Sequence, residues 1–344
     1  MVYEPYAAGE LPNLVNVTKR LDPDGSIANI AELLQQFNPI LEDVPLVEGN
    51  LPTGHRTTVR SDTPDPTWRK LNYGVRPTKS TTSQVDDTIG MLEAYSEVDK
   101  DLAMLNGNSA EFRMSEDVPH LEGMSNDMAE TLIYGDAAVN PERFTGLEPR
   151  YNALDISATK PEAQLNSIYL NNVISAGGAV ADKQASVWYI VWGQNTVHGI
   201  YPKGSMAGLQ SRDLGEQTLF DNDGGRFQGF RSHYQWKMGL CVRDWRYIVR
   251  VCNVDVSTLE DADDQKSLLH AMIKARYAIP QINNYGRGVY YAPASVHAML
   301  DIAAVEKGNA ALGYQNVFGK DLLTFRGTPI KACSALLETE AIVT

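Results

Sequence analysis

The chain has 344 residues, 43% hydrophobic and 21% charged, enough to build a core and unlike a disordered tail. Thirty basic against 43 acidic side chains leave a net charge of −13, which argues against DNA binding by phosphate neutralisation across the whole chain. Three cysteines, Cys241, Cys252 and Cys333, form no CxxC pair and no metal-ligand spacing; they read as buried thiols of a reducing cytoplasm.

Charge is placed unevenly along the chain. Residues 1–50 carry net −6, residues 51–80 net +4, residues 81–148 net −12 and residues 149–344 net +1. A basic block therefore lies between two acidic ones. The opening "MVYEPYAAGELPN" has neither a basic n-region nor an apolar h-region, so no signal peptide is expected. Pro5, Pro12 and Pro23 without sustained periodicity predict an extended arm over the first 25 residues. "DGSIANIAELLQQFNP" then predicts a short helix capped by Ser26, with Ile27, Ile30, Leu34 and Phe37 on one face and Asn38–Pro39 as its stop.

In the basic block, "HRTTVR" and "TWRKLNY" have strand propensity and "SDTPDP" between them reads as a turn. Neither face of such a hairpin is apolar, and a lone two-stranded hairpin is marginal in water. It is expected to lie on an acidic surface of a neighbouring copy; a solvated flexible loop is the alternative. "GMLEAYSEVDKDL" predicts a strand running into a helix start. Met114, Val118, Leu121, Met124 or Met128, and Leu132 then recur at helical steps. Asp117 is the expected cap, with Pro119 in the first turn and the end at Tyr134–Gly135. The segment that follows carries Gly135, Pro141, Gly146 and Pro149, and reads as a structural joint setting one domain at an angle to another.

Residues 155–288 are rich in strand signals: "SVWYIVWG", "TVHGIYP", "QGFRSHYQWKMGLCV" and "WRYIVRVCNVDV". The first is too short to span a bilayer and reads as a buried strand. A helix is expected from about Asp264 to Ala278, closed by Ile279–Pro280. "GVYYAPASVHAMLDIAAVEK" predicts a strand feeding a helix opened by Pro293, and "LLTFRGTPIKACSAL" a strand broken at Gly327. The fold class is α+β, without an internal repeat.

Chemical motifs fail on inspection. "GYQNVFGKD" separates its glycines by five residues where a phosphate loop has four, and puts Asp321 where a magnesium-binding hydroxyl belongs. "DNDGG" has Arg226 at the calcium loop's glycine position and reads as a hairpin turn. The six histidines show no HExxH, and no G-x-S-x-G is present. In "HYQWKMGLCVRDWRYIVR", Tyr234, Trp236 and Met238 alternate with Gln235, Lys237 and Gly239; a half-buried strand is favoured over a base-stacking platform.

Three blocks, "GMLEAYSEVDKDL", "MAETLIYGDAAVNPERFTGLEPRYN", and "GVYYAPASVHAMLDI" with "LLTFRGTPIKACSAL", resemble the major capsid proteins of tailed bacteriophages. Those proteins have the fold named after phage Hong Kong 97, and the likeness is greatest to the short-tailed phages related to epsilon-fifteen. The resemblance implies an N-terminal arm (1–46), an extended loop (47–88), a peripheral domain with a long spine helix (89–154), an axial domain (155–288), and a closing strand–helix–strand (289–344). It implies a structural subunit, not an enzyme, that assembles into hexamers and pentamers of an icosahedral head. The head would form in the bacterial host cytoplasm and enclose double-stranded DNA without sequence-specific contact, and no membrane, cofactor or metal is implied. Arg56, Arg60, Trp68, Arg69, Lys70, Arg76 and Lys79 would form the loop's contact with a neighbouring subunit. A separate scaffolding protein, a portal and a decoration protein are the other implied partners. Lys70 and Lys79 lack the flanking motif of the namesake phage's crosslink, so none is expected. An encapsulin-like compartment shell is the nearest alternative, and a soluble hydrolase with an Asp/His site in the axial region a more distant one.

Overall fold

The computed structural model describes residues 38–62, 64–105, 109–154, 172–221, 224–259, 261–279, 286–305, 312–317 and 320–344. The expected arm and the helix from Ser26 to Phe37 lie outside the described residues. A short helix α1 (Ile40–Asp43) and strand β1 (Leu46–Glu48) lead into β2 (Gly54–Asp62) and β3 (Thr81–Asp99). β3 serves two partners in turn. Its first half pairs β2, from Thr81 opposite Asp62 to Thr88 opposite Gly54. The hairpin's return strand thus begins at Thr81, not at "TWRKLNY". Residues 64–80 form no strand, because Pro64, Pro66 and Pro77 cannot donate to a ladder and Asn72 sits at φ 68°.

Asp99 ends β3 by accepting from the amides of Asp101 (2.8 Å) and Leu102, which starts the short helix α2 (Lys100–Ala103) as expected. The long helix α3 runs from Ser109 to Tyr134 and has Pro119 inside it. It therefore starts eight residues before the expected cap at Asp117. Phe112 in its first turn is buried against Val98 and Ala103, and that packing extends the helix ahead of the proline despite its lost hydrogen bond. Met114, placed on the apolar face by periodicity, is instead 68% exposed.

The remaining elements are β4 (Val173–Ser175), β5 (Gln184–Trp192), β6 (Val197–Tyr201), β7 (Leu209–Phe220), β8 (Arg226–Val242), β9 (Ile248–Asp255), α4 (Ala262–Ala278), β10 (Arg287–Ala292), α5 (Ala294–Val305), β11 (Leu312–Val317), β12 (Lys320–Phe325) and β13 (Thr328–Ala332). β1, β4, β7 and β11 are not among the expected strands. β7 is a largely exposed, polar strand with a bulge at Asp213–Gly215, so it shows no apolar alternation. β11 coincides with the rejected phosphate loop and pairs β12 as a hairpin. Between β7 and β8, Asp221 N bonds Gly225 O at 2.9 Å; residues 222 and 223 of "DNDGG" lie outside the described residues.

All nine residues of β5 are buried, as a strand covered on both faces requires. It lies between antiparallel β9 and β10. Alternation sends its side chains into two cores. Val187, Tyr189 and Val191 meet α4, α5, β11 and β12. Trp188, Ile190 and Trp192 meet the end of α3, the segment after it, and the C-terminal residues Leu336 and Val343. Each such side chain contributes about 1.5–3 kcal/mol by leaving water. β13 pairs β10 in parallel, so 289–344 shares its sheet and both cores with 155–288. β8 carries β3 along one edge and β6, then β7, along the other. Tyr234 and Met238 on β8 are buried and Trp236 is half-buried, which makes the aromatic run a sheet face.

One charge sits inside this apolar layer. Arg250 of β9 is 1% exposed and lies opposite Trp188, its guanidinium 5.3 Å from that ring's centroid. Nε donates to Ser186 Oγ (3.0 Å), one terminal nitrogen to the Tyr151 carbonyl (2.8 Å) and Glu148 (3.2 Å), and the other to Glu340 (2.9 Å). Glu340 also accepts from the Ser186 hydroxyl and from Tyr134 OH (2.6 Å), and Tyr134 OH accepts from Leu337 N at 2.9 Å. Burial works against the Arg250 charge, but Glu340 and Glu148 outweigh it and raise its pKa. Burial and then the Glu340 charge drive the Tyr134 phenol upward. Arg250→Met strands the Glu340 carboxylate and should cost about 3–5 kcal/mol, read as a lower urea midpoint. Arg250→Met with Glu340→Gln should recover part of that loss, and a double variant no more stable than the single one refutes the pairing account.

Candidate assembly interface

The hairpin projects from the sheet on a two-stranded stem. On the stem, Arg56 lies opposite Asp86 and the two form a fork-to-fork pair at 2.6 and 2.7 Å. Hydrogen bonding and then charge raise the Arg56 pKa, and the bond from Arg56 lowers that of Asp86. Arg56 thus spends its charge within the chain. Arg60 is on the same strand, opposite Thr82.

Beyond the stem, Trp68 is 100%, Leu71 87% and Tyr73 71% exposed. Arg69, Lys70, Arg76 and Lys79 surround them, all exposed and without an ion pair among the described residues. An apolar, cationic tip of this kind has no covering surface in its own chain. The spine helix α3 carries the opposite charge, with six carboxylates (Glu111, Glu116, Asp117, Glu122, Asp127 and Glu130) against Arg113, although Arg143 already pairs Asp127 at 3.1 Å and Glu130 at 4.0 Å.

The root of the stem is tied to the segment after α3. Buried Asp87 accepts from Arg150 at 2.8 Å, and Arg150 also bonds the carbonyls of Gly146 and Thr145 at 3.2 and 3.3 Å. Charge-assisted, mostly buried bonds of this type hold geometry firmly. A Cβ on Gly90 of β3 would lie 3.2 Å from Phe144, so hairpin root and segment are in close contact.

That segment folds back on the helix it leaves. Gly135 N keeps the helical bond to Thr131 O (2.9 Å), Gly146 N reaches Gly135 O (2.7 Å), and Leu147 N reaches Leu132 O (3.1 Å). The returning chain thereby satisfies carbonyls that a helix end leaves open. Neither glycine is needed for a left-handed φ. A Cβ on Gly135 would meet Thr131 O at 2.5 Å and Phe144 O at 2.6 Å; one on Gly146 would meet three carbonyls at 2.7–2.9 Å. Pro141 follows a turn closed by Asn140 N to Asp136 O (2.9 Å), and Pro149 sits in a single 3-10 turn, Glu148–Arg150. Gly135, Gly146 and the turn that holds Pro149 therefore lie at the end of α3, while Pro141 lies in the loop between them.

A cavity of about 310 Å³ lies between α3 and β7–β8, lined by Arg113, Asp117, Asp213, Ser232 and Tyr234 among others. Two of its charges pair with each other: Arg113 bonds Asp213 at 2.7 Å, and that bond lowers the Asp213 pKa. His233 faces Glu93 at 3.5 Å. Sequence spacing gave no hint of a cluster of His55, His198 and Cys241, whose ligand-type atoms lie within 4.8 Å of one another. Pairing of β6 with β8 sets His198 opposite Cys241, and packing of the stem on that pair brings His55 to them. Burial pushes the Cys241 thiol up to about 12, with the Asp87 charge adding to it, and Cys241 has no solvent exposure. It is therefore no ready nucleophile.

A family model described as Major capsid protein GP7 matches residues 22–344. A solved structure of bacteriophage Epsilon15 is 33% identical, with a TM-score of 0.75, and the alignment covers 100% of this chain and 99% of that one. The capsid of bacteriophage JBD30 matches at 7% identity and a TM-score of 0.49, covering 89% of this chain and 93% of that one. An encapsulin from Synechococcus elongatus matches at 10% and 0.41, covering 66% and 93%. No curated protein matches the chain. The chain belongs to the Major capsid protein GP7 family: it has the Hong Kong 97-type capsid fold and is a structural, non-enzymatic component of a phage head.

Proposed function

We propose that the chain assembles into hexamers and pentamers of an icosahedral head that encloses double-stranded DNA, each hairpin tip lying on the acidic spine helix of a neighbour. The fully exposed Trp68, beside four cations that have no ion pair among the described residues, carries this reading. Rings and cations left uncovered in the free chain gain from a partner that supplies both apolar contact and carboxylates. The net charge of −13 suits a wall that must not bind its packaged polyanion. The layout of arm, extended loop (47–88), peripheral domain (89–154), axial domain (155–288) and closing segment (289–344) belongs to the same proposal. A scaffolding protein, a portal and a decoration protein enter through the family resemblance alone.

Trp68→Ala combined with Arg69→Glu and Lys70→Glu tests the contact. The tip touches little in its own chain, so circular dichroism and melting temperature should be unchanged, while shells in negative-stain micrographs are lost. Normal shells from the triple variant would defeat the proposal.

Gly135 and Gly146 set the direction in which the chain leaves α3, and this joint fixes the angle between the peripheral and axial regions. Gly135→Val or Gly146→Val forces a side chain onto backbone oxygens, a strain of about 1–3 kcal/mol. Malformed particles, or none, are the expected result. Regular shells from both variants would count against the joint.

A further inference from the structure

We propose that His55, His198 and Cys241, with Asp87 beside them, form a binding site for a divalent cation of the zinc class at the root of the hairpin. Two cross-strand pairs build it. His55 lies opposite Asp87 on β2–β3, and His198 lies opposite Cys241 on β6–β8. Thr57, two residues from His55 and on the same strand face, touches Cys241 Sγ at 3.5 Å. The stem face thus packs directly on the β6–β8 face.

The donor atoms of His55, His198 and Cys241 all lie within 4.8 Å of one another. Tetrahedral zinc, with bonds of about 2.0–2.1 Å to nitrogen and 2.3 Å to sulfur, needs them about 3.5 Å apart. Rotation of the half-buried His55 ring can supply that closure, at the cost of the long 3.3 Å bond its Nδ1 accepts from Asn50 N. Two imidazoles and a thiol are a donor set that favours zinc over magnesium or calcium.

Two buried polar atoms at this place are left without a partner. His198 is 2% exposed, and its Nδ1 has no hydrogen bond among the described residues. The Gly193 backbone is hydrogen-bonded to the same ring, and since Nδ1 is unpartnered it serves the other nitrogen. Metal-bound histidines are commonly oriented in this way. Asp87 is 4% exposed; its Oδ1 takes Arg150, but its Oδ2 has no partner. Asp87 lies opposite His55 but outside the set of mutually close donor atoms, so its Oδ2 would answer the ion through a water as fourth donor. Buried groups of this kind are costly when unsatisfied, and one cation satisfies both.

On binding, the Cys241 S–H bond breaks, its proton leaves to solvent, and a sulfur–metal bond replaces it. The ion would link β2–β3 to β6–β8 and fix the direction in which the hairpin leaves the sheet. The inference does not depend on how subunits contact one another.

The full chain, stripped with a chelator under reducing conditions, is dialysed against zinc and then against metal-free buffer. One retained zinc per chain is expected by elemental analysis. His55→Gln, at a half-buried position, should keep the fold and weaken zinc affinity about tenfold or more. Cobalt in the unmodified chain should give a near-ultraviolet thiolate-to-cobalt absorption that Cys241→Ser abolishes. Should Cys241→Ser not fold, the cobalt band of the unmodified chain and the His55→Gln affinity decide. No zinc retained by the folded chain, or retention unaltered by His55→Gln with no thiolate band, overturns the proposal.

Discussion

Arg250 is the constraint around which the parts of this subunit are arranged. A guanidinium inside a doubly covered sheet is stable only if each of its nitrogens is answered. The answers come from four residues in three parts of the chain: Ser186 on β5, Glu148 and Tyr151 after the spine helix, and Glu340 near the C-terminus. Tyr134, the last residue of α3, closes the set through Glu340. An apolar core accepts many arrangements of similar volume. A buried charge with fixed donor directions accepts far fewer, so the helix end, joint, central strands and tail are held in one relative geometry. Subunits that must repeat many times in a closed shell need that uniqueness more than they need extra stability.

The hairpin follows the opposite rule. Its root is held by Asp87–Arg150 and by the close approach of Gly90 to Phe144, and its stem neutralises itself through Arg56 and Asp86. Past the stem the chain stops satisfying itself, with Trp68, Leu71 and Tyr73 in solvent. Only an element whose own fold leaves it unsatisfied has much to gain from a neighbour.

What could be read from the sequence followed the range of the interactions involved. The run "SVWYIVWG" shows its burial because a strand covered on both faces needs apolar residues at every position. The end of α3 at Tyr134–Gly135 is a local event with a local signal. The start of α3 was misplaced because Pro119 is a strong local signal, and the packing of Phe112 on Val98 overrode it. The role of Gly146 was half legible. A bend was expected, yet the reason, three carbonyls of the preceding helix within 3 Å of a Cβ, exists only once the chain has folded back. The hub at Arg250 and the cluster at His55, His198 and Cys241 gave no sequence signal, since each is assembled by contacts between residues far apart in the chain.

Rigid root and unsatisfied tip together bear on how a shell can be both accurate and correctable. A contact made at the end of a stiff lever transmits angular error, so the precision of the root limits the precision of the lattice. The tip contributes a modest surface, and a single such contact would be weak and reversible. In the assembly proposed above, each subunit of a closed ring would both give and receive one, and simultaneous engagement would raise the effective strength far beyond any single contact. Misplaced subunits, engaged through fewer tips, would dissociate before the ring closes around them. The arrangement therefore places geometric certainty where the charges are buried, and leaves binding energy where it can be shared and reversed.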